Sequence, residues 1–120
     1  MTDHPRLREL DPEEVHESLR QHRLTLVDVR EPHEFAAERV HGALLFPLST
    51  FDPQALPADP ARPVVFHCGT GKRSAMAVQR CAEAGVPVRA HMKGGLSAWK
   101  AAGLRTVSVD PRTGAAINRQ

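Results

Sequence analysis

The apolar residues of this chain fall in short runs, each followed by a helix-forming stretch, and that rhythm decides what it can fold into. Residues 24–29 read LTLVDV, residues 43–46 read ALLF and residues 64–67 read VVFH. Runs this short and this continuous suit strands covered on both faces. Residues 88–92 supply another strand. Between them lie helix signals. Asp11 is placed to cap a helix, with Pro12 at its first position and Glu13 and Glu14 in its first turn, and that helix should run to about Gln21. Residues 32–38 predict a short helix. Residues 74–84 predict another, ended by Gly85 with Pro87 beyond it, and residues 96–102 a last one, closed by Gly103. The proline-rich segment 49–63 predicts loop with one helical turn near residues 51–56. The final residues, 106–120, hold few apolar anchors and predict a loose tail behind a domain spanning 1–105. Strands alternating with helices predict an α/β fold: a mostly parallel sheet with helices on both faces.

Ligands in such sheets bind beyond the carboxyl ends of the strands. Cys68 stands at such an end, followed by Gly69, Thr70, Gly71, Lys72, Arg73 and Ser74. The two glycines allow backbone N–H groups to turn inward. Ser74 is expected to open the next helix, whose first N–H groups favour negative charge. Lys72 and Arg73 add positive charge. The product is an anion cradle with a thiol at its base. An ordinary thiol, with a pKa of about 8.5, is only roughly 3% thiolate at neutral pH. Lowering it to about 6.5 takes on the order of 2.7 kcal/mol. A helix terminus, inward amides and nearby cations can supply that. The competing reading is a small buried hydrophobe in a tight turn, and the sulfur must not be sealed in the interior if the cradle is to work. Cys81 sits too far along the same helix to form a disulfide with Cys68 and reads as core packing.

Composition excludes several classes. A net charge of +2, with sixteen cations scattered among fourteen acids, gives no stripe for nucleic acid, and four Phe, one Trp and no Tyr make no stacking platform. No apolar run approaches a membrane span. Residues 1–6 lack an apolar signal core, so a cytoplasmic protein with reduced thiols is expected. Two cysteines without a CxxC pair argue against a metal centre despite seven histidines, and no cofactor is expected.

Three segments together resemble the rhodanese-homology domain of single-domain sulfurtransferases. Residues 26–35 (LVDVREPHEF), followed by 40–43 (VHGA), are similar to its amino-terminal signature. Residues 68–74 (CGTGKRS) are similar to its active-site loop, and residues 94–104 (GGLSAWKAAGL) to its closing helix. The resemblance implies a five-stranded sheet, the fifth strand lying near residues 7–10. It implies that Cys68 takes sulfane sulfur from a small anionic donor such as thiosulfate, or from a persulfide. The sulfur then passes from a Cys68 persulfide to cyanide, a thiol or a protein acceptor. Residues 69–74 would bind the donor. The chain departs from the family at Arg39, where histidine is usual, and at Arg105, where proline often follows the Gly-Leu pair.

Rhodanese-related cysteine phosphatases and arsenate reductases share the fold but place one more residue before the arginine. Arg73 follows Cys68 after four residues, which favours sulfur transfer. A non-catalytic regulatory module is the other alternative; such modules commonly lack the cysteine. Asp28 and Arg30, at the end of the second strand, are candidates for bracing the loop. Their plainer reading has Arg30 paired with Glu34 and Asp28 capping backbone groups. His67 should face away from the thiol, because strand neighbours alternate. His41 and His91 read as surface or packing residues. Leu96 and Trp99 read as a core-facing stripe, and Gly94 and Gly95 either admit close approach to the site or merely start the helix.

Overall fold

The computed structural model describes residues 7–119; the amino-terminal residues read as lacking a signal core lie outside them. Chain order is β1 (Arg8–Leu10), α1 (Pro12–Arg20), β2 (Thr25–Asp28), α2 (Pro32–Ala37), β3 (Glu38–Arg39), β4 (Leu44–Leu45), β5 (Val64–His67), α3 (Lys72–Glu83), β6 (Ala90–Met92), α4 (Gly95–Ala101), β7 (Thr106–Val109) and β8 (Ala116–Arg119). Two 3-10 turns, Leu48–Thr50 and Pro53–Ala55, interrupt the proline-rich loop where one turn was expected.

The main sheet has five strands in the order β1-β6-β5-β2-β4, and every pairing is parallel. Side-chain alternation divides its residues between two cores. Val27, Val64, Phe66 and Cys68 face α3, where they meet Ala77, Val78 and Cys81. Leu26, Val65 and Met92 face the other way, against Val15 of α1 and Leu96 and Trp99 of α4. The expected stripe on α4 is therefore core. Full burial of a side chain such as Phe66, which is 0% exposed, stabilises by about 1.5–3 kcal/mol.

Local signals set the helix starts. Asp11 caps α1, and its backbone N–H donates to Glu14 Oε1 at 3.2 Å. Glu31 stands likewise before α2, its N–H donating to Glu34 Oε1 at 3.0 Å. Helix α3 begins at Lys72, two residues earlier than expected. Gly71 takes the cap position at φ +109°, a turn that a residue with a Cβ resists, so Lys72 and Arg73 are already helical.

The expected loose tail is instead a hairpin. β7 pairs antiparallel with β8 and also with β3, forming a second, three-stranded sheet. The segment has few apolar residues, but Val107 is buried together with the polar Thr106 and Ser108. Trp99 helps place it by donating from Nε1 to the Arg105 carbonyl at 2.8 Å. Shortening the chain after Arg105 should therefore lower the urea midpoint by an amount equivalent to about 2 kcal/mol or more, from loss of the Val107 burial and the ladder. An unchanged midpoint would restore the loose-tail reading.

Candidate active site

The Cys68 sulfur is surrounded by backbone N–H groups. Gly71 N–H reaches Sγ at 3.1 Å and Ser74 N–H at 3.3 Å. The Ser74 hydroxyl oxygen is 3.6 Å from Sγ. Peptides can turn their N–H groups inward only if their carbonyls find partners outside. Here α4 provides them: Leu96 N–H donates to the Cys68 carbonyl at 2.8 Å and Ser97 N–H to the Gly69 carbonyl at 3.1 Å. The contact is so close that a Cβ on Gly95 would overlap the Cys68 carbonyl oxygen and lie 2.6 Å from the Gly69 carbonyl carbon. Of the two readings of this glycine, close approach is the one realised.

Cys68 is 1% exposed, more enclosed than an open cradle requires. Burial alone would push its thiol up. Hydrogen bonds from the Ser74 hydroxyl and from the N–H groups of Ser74, Gly71 and Thr70 outweigh burial and hold it below the ordinary thiol value. Cys81 shows what burial does without them. It too is a free thiol, 0% exposed, and burial pushes it up to about 11. The expectation of an unsealed sulfur is therefore corrected: Cys68 is enclosed, with the apolar residues of the α3 core on one side and the N–H groups of Gly71 and Ser74 aimed at it on the other.

The sequence candidates fall into three groups. Thr70, Gly71 and Ser74 supply the hydrogen bonds to the sulfur, and Gly69 turns its carbonyl to Ser97 of α4. Lys72 is exposed at the start of α3. Arg73 does not face an empty cradle: it holds Glu34 of α2 in a two-pronged pair, Nη1–Oε1 at 2.6 Å and Nη2–Oε2 at 3.0 Å. The expected Arg30–Glu34 pair is therefore absent. Arg30 instead grips Asp28, with Nη2–Oδ2 at 2.8 Å, and donates to the Glu38 carbonyl at 2.6 Å. Both partners are buried, and Asp28 also accepts the Arg30 backbone N–H at 2.9 Å, as the capping reading expected.

His67 lies beside that pair, its Nε2 at 3.4 Å from Asp28 Oδ2. Its Nδ1 is 3.2 Å from the Cys68 carbonyl. It is fully buried, and desolvation lowers its pKa against the opposing pull of Asp28. Asp28 and Arg30 thus pair with each other at the end of β2, and His67 reaches the loop at the Cys68 carbonyl.

Two contributors were not recognised from sequence. Glu34 carries the Arg73 clamp. His91, read as packing, sits 2.7 Å from the Ser74 hydroxyl through Nδ1. The available signal was strand alternation: Ala90 and Met92 are apolar, so the histidine between them points to the opposite face, the one under α3. Among the described residues no group of His, Cys, Asp and Glu could hold a metal ion, and no helix is long and apolar enough to cross a membrane.

Comparison with known proteins places these features in a family. The family model described as Rhodanese-like domain matches residues 11–102. An uncharacterised protein of Synechocystis is 42% identical over 96 residues, covering 80% of this chain and 54% of its own length. A probable adenylyltransferase/sulfurtransferase of Mycobacterium tuberculosis is 38% identical over 81 residues, covering 64% of this chain and 20% of its own. This chain thus spans about half of the first relative and a fifth of the second. Among solved structures, a thiosulfate sulfurtransferase from Pseudomonas aeruginosa is 30% identical with a TM-score of 0.68, covering 88% of this chain and 20% of its own. A Rhodopseudomonas palustris protein described as a possible tyrosine phosphatase is 27% identical with a TM-score of 0.65, covering 81% of this chain and 82% of its own.

Two outcomes test this geometry. Gly95→Ala should cost at least about 2 kcal/mol, because φ is +60° and the new methyl meets backbone, not a flexible side chain. A denaturation midpoint equal to wild type would contradict the close approach. The Arg73 clamp, chiefly through its hydrogen bond, lowers the Glu34 carboxyl from 4.5 to about 2. A lowered folded-state pKa stabilises above the unfolded value and is lost as pH falls from 4.5 toward 2. Wild type should therefore lose more stability than Glu34→Gln across that window. Parallel stability curves would show that the pair contributes nothing.

Proposed function

The chain belongs to the rhodanese-like domain family, and we propose that it is a sulfurtransferase carrying sulfane sulfur on Cys68. The observation that carries the proposal is the sulfur's hydrogen-bond environment. Amides of Gly71 and Ser74 point at Sγ, and the thiol is held below its ordinary value in spite of burial. The thiolate, not the thiol, is the nucleophile.

The Cys68 thiolate attacks the outer sulfur of thiosulfate. The new bond is S–S; the old sulfur–sulfur bond breaks, and sulfite departs with its electron pair. The outer sulfur of the Cys68 persulfide is then attacked by cyanide or by an acceptor thiolate, and Cys68 leaves as thiolate. The amides that stabilise Sγ also stabilise the anionic persulfide and the incoming donor. Lys72 contributes charge at the rim. Arg73 contributes once it is shared between Glu34 and the donor, so an anionic donor competes with the Glu34 carboxylate for one guanidinium. A reducing compartment such as the cytoplasm would keep the Cys68 thiol available for this chemistry.

The phosphatase and arsenate reductase reading draws on the likeness to the Rhodopseudomonas palustris protein. The size of the loop weighs against it. Four residues separate Cys68 from Arg73, one short of the span that cradles a phosphate, and Arg73 is engaged by Glu34. The regulatory-module reading would leave the lowered thiol without a use.

Incubation with thiosulfate should add the mass of one sulfur atom to the peptide containing Cys68, and cyanide should remove it. Cys68→Ser should stay folded and reduce thiosulfate:cyanide turnover to the uncatalysed rate. Turnover retained in that variant, or Cys68-dependent hydrolysis of a phosphate ester, would overturn the proposal. Arg73→Ala should raise the donor KM and Glu34→Gln should lower it, each by up to about fivefold. If neither moves KM, Arg73 belongs to the framework.

A further inference from the structure

The Ser74 hydroxyl links the sulfur to a second pair of groups. Ser74 Oγ lies 3.6 Å from Cys68 Sγ, 3.1 Å from the Gly71 carbonyl and 2.7 Å from His91 Nδ1. On the far side of the imidazole, His91 Nε2 is 3.0 Å from Glu9 Oε2. Ser74 is 0% and His91 3% exposed, while the Glu9 side chain is 50% exposed. One file of hydrogen-bonding atoms therefore runs from an enclosed thiol to solvent.

Sheet register builds this file. Glu9 pairs with His91 across β1 and β6, and Phe66 pairs with His91 across β5 and β6. Paired residues of parallel strands share a face, and Cys68 follows Phe66 by two residues on that same face. Helix α3 covers the face and lowers Ser74 between sulfur and imidazole. The groups facing His91 are few. Glu9 comes from β1 and Ser74 from α3. β5 offers Phe66, with His67 turned to the opposite face beside Asp28. Lys72 is exposed, Arg73 is held by Glu34, and Lys93, the next side chain along on β6's side of the sheet, is exposed.

Proton counting defines what this file can do. Ser74 has one hydroxyl proton. With Cys68 protonated, the thiol points to Ser74 Oγ, the Ser74 proton goes to His91 Nδ1, and His91 Nε2–H faces the Glu9 carboxylate. A shift along the file breaks the S–H bond and passes that proton to Ser74 Oγ, while the original Ser74 proton passes to Nδ1. The result is a thiolate accepting the Ser74 hydroxyl and an imidazolium donating to Ser74 and to Glu9. No proton is gained or lost, and every donor keeps an acceptor in both states.

We propose that Ser74, His91 and Glu9 form a proton relay that receives the Cys68 proton and holds the thiolate as a relayed ion pair with His91. His91 and Glu9 are positioning residues: they act on the sulfur only through Ser74. The proposal deepens the sulfurtransferase reading and rests on it only for the use to which the thiolate is put.

The test reads ionisation rather than turnover. The rate of Cys68 alkylation by iodoacetamide is followed against pH in Cys81→Ala protein. His91→Asn retains a hydrogen-bonding side chain that cannot take a proton. It should lower the rate at pH 7 by about tenfold, moving the profile up by about one pH unit. Glu9→Gln, at a half-exposed position, should shift it the same way by about threefold. Nitrogen NMR at one pH should show the His91 ring more protonated in the otherwise unaltered chain than in Cys68→Ser. Should His91→Asn fail to fold, the Glu9→Gln profile and the NMR comparison decide. Alkylation profiles that superimpose on the parent, or a His91 ring indifferent to Cys68→Ser, overturn the relay. Such a result with the thiosulfate sulfur still acquired overturns the relay alone. The predicted shifts without any sulfur gain overturn the sulfurtransferase reading alone.

Discussion

The direction in which a few peptide units face decides the chemistry of this protein. The carbonyls of Cys68 and Gly69 are drawn outward by the first amides of α4, at 2.8 and 3.1 Å. With the carbonyls committed, the amides that follow are free to converge on one sulfur atom. The arrangement needs α4 to come within contact of the loop, and that needs a residue without a Cβ at position 95. It needs Gly71 in a left-handed turn so that α3 starts beside the thiol and delivers the Ser74 N–H to it. The buried Asp28–Arg30 pair and His67 lie together at the end of the sheet from which the loop departs.

The two cysteines form an internal comparison. Both are buried and both are free. Cys81 faces apolar neighbours within the α3 core and burial pushes its thiol up. Cys68, at the edge of the same core, moves the other way because N–H and O–H groups point at it. Burial alone therefore does not set the direction in which a thiol shifts; the orientation of the surrounding dipoles does.

Much of this was legible in the chain. Short apolar runs ending in a Cys-Gly-Thr-Gly loop gave the parallel sheet and placed the loop at a carboxyl end, because strand burial and glycine turns are local properties. Partner choice was less legible. Arg30 took Asp28 rather than Glu34, and Arg73 took Glu34 rather than open solvent, because tertiary approach of α2 to α3 decided between cations of equal charge. His91 was hidden for a similar reason. Its significance depends on β1 lying beside β6, a neighbour relation between residues 82 positions apart. The carboxyl-terminal hairpin was missed because its burial rests on Thr106 and Ser108 as much as on Val107, and polar residues that pack inward give no apolar period to read.

The central claim is that hydrogen bonds to Sγ overcome the cost of enclosing it. Titration of thiolate absorbance in Cys81→Ala protein, where Cys68 is the one remaining thiol, measures that balance directly. The account predicts a single ionisation clearly below the ordinary thiol value of about 8.5. A midpoint at or above that value would mean that burial prevails at Cys68 as it does at Cys81, and the proposed nucleophile would not exist at neutral pH.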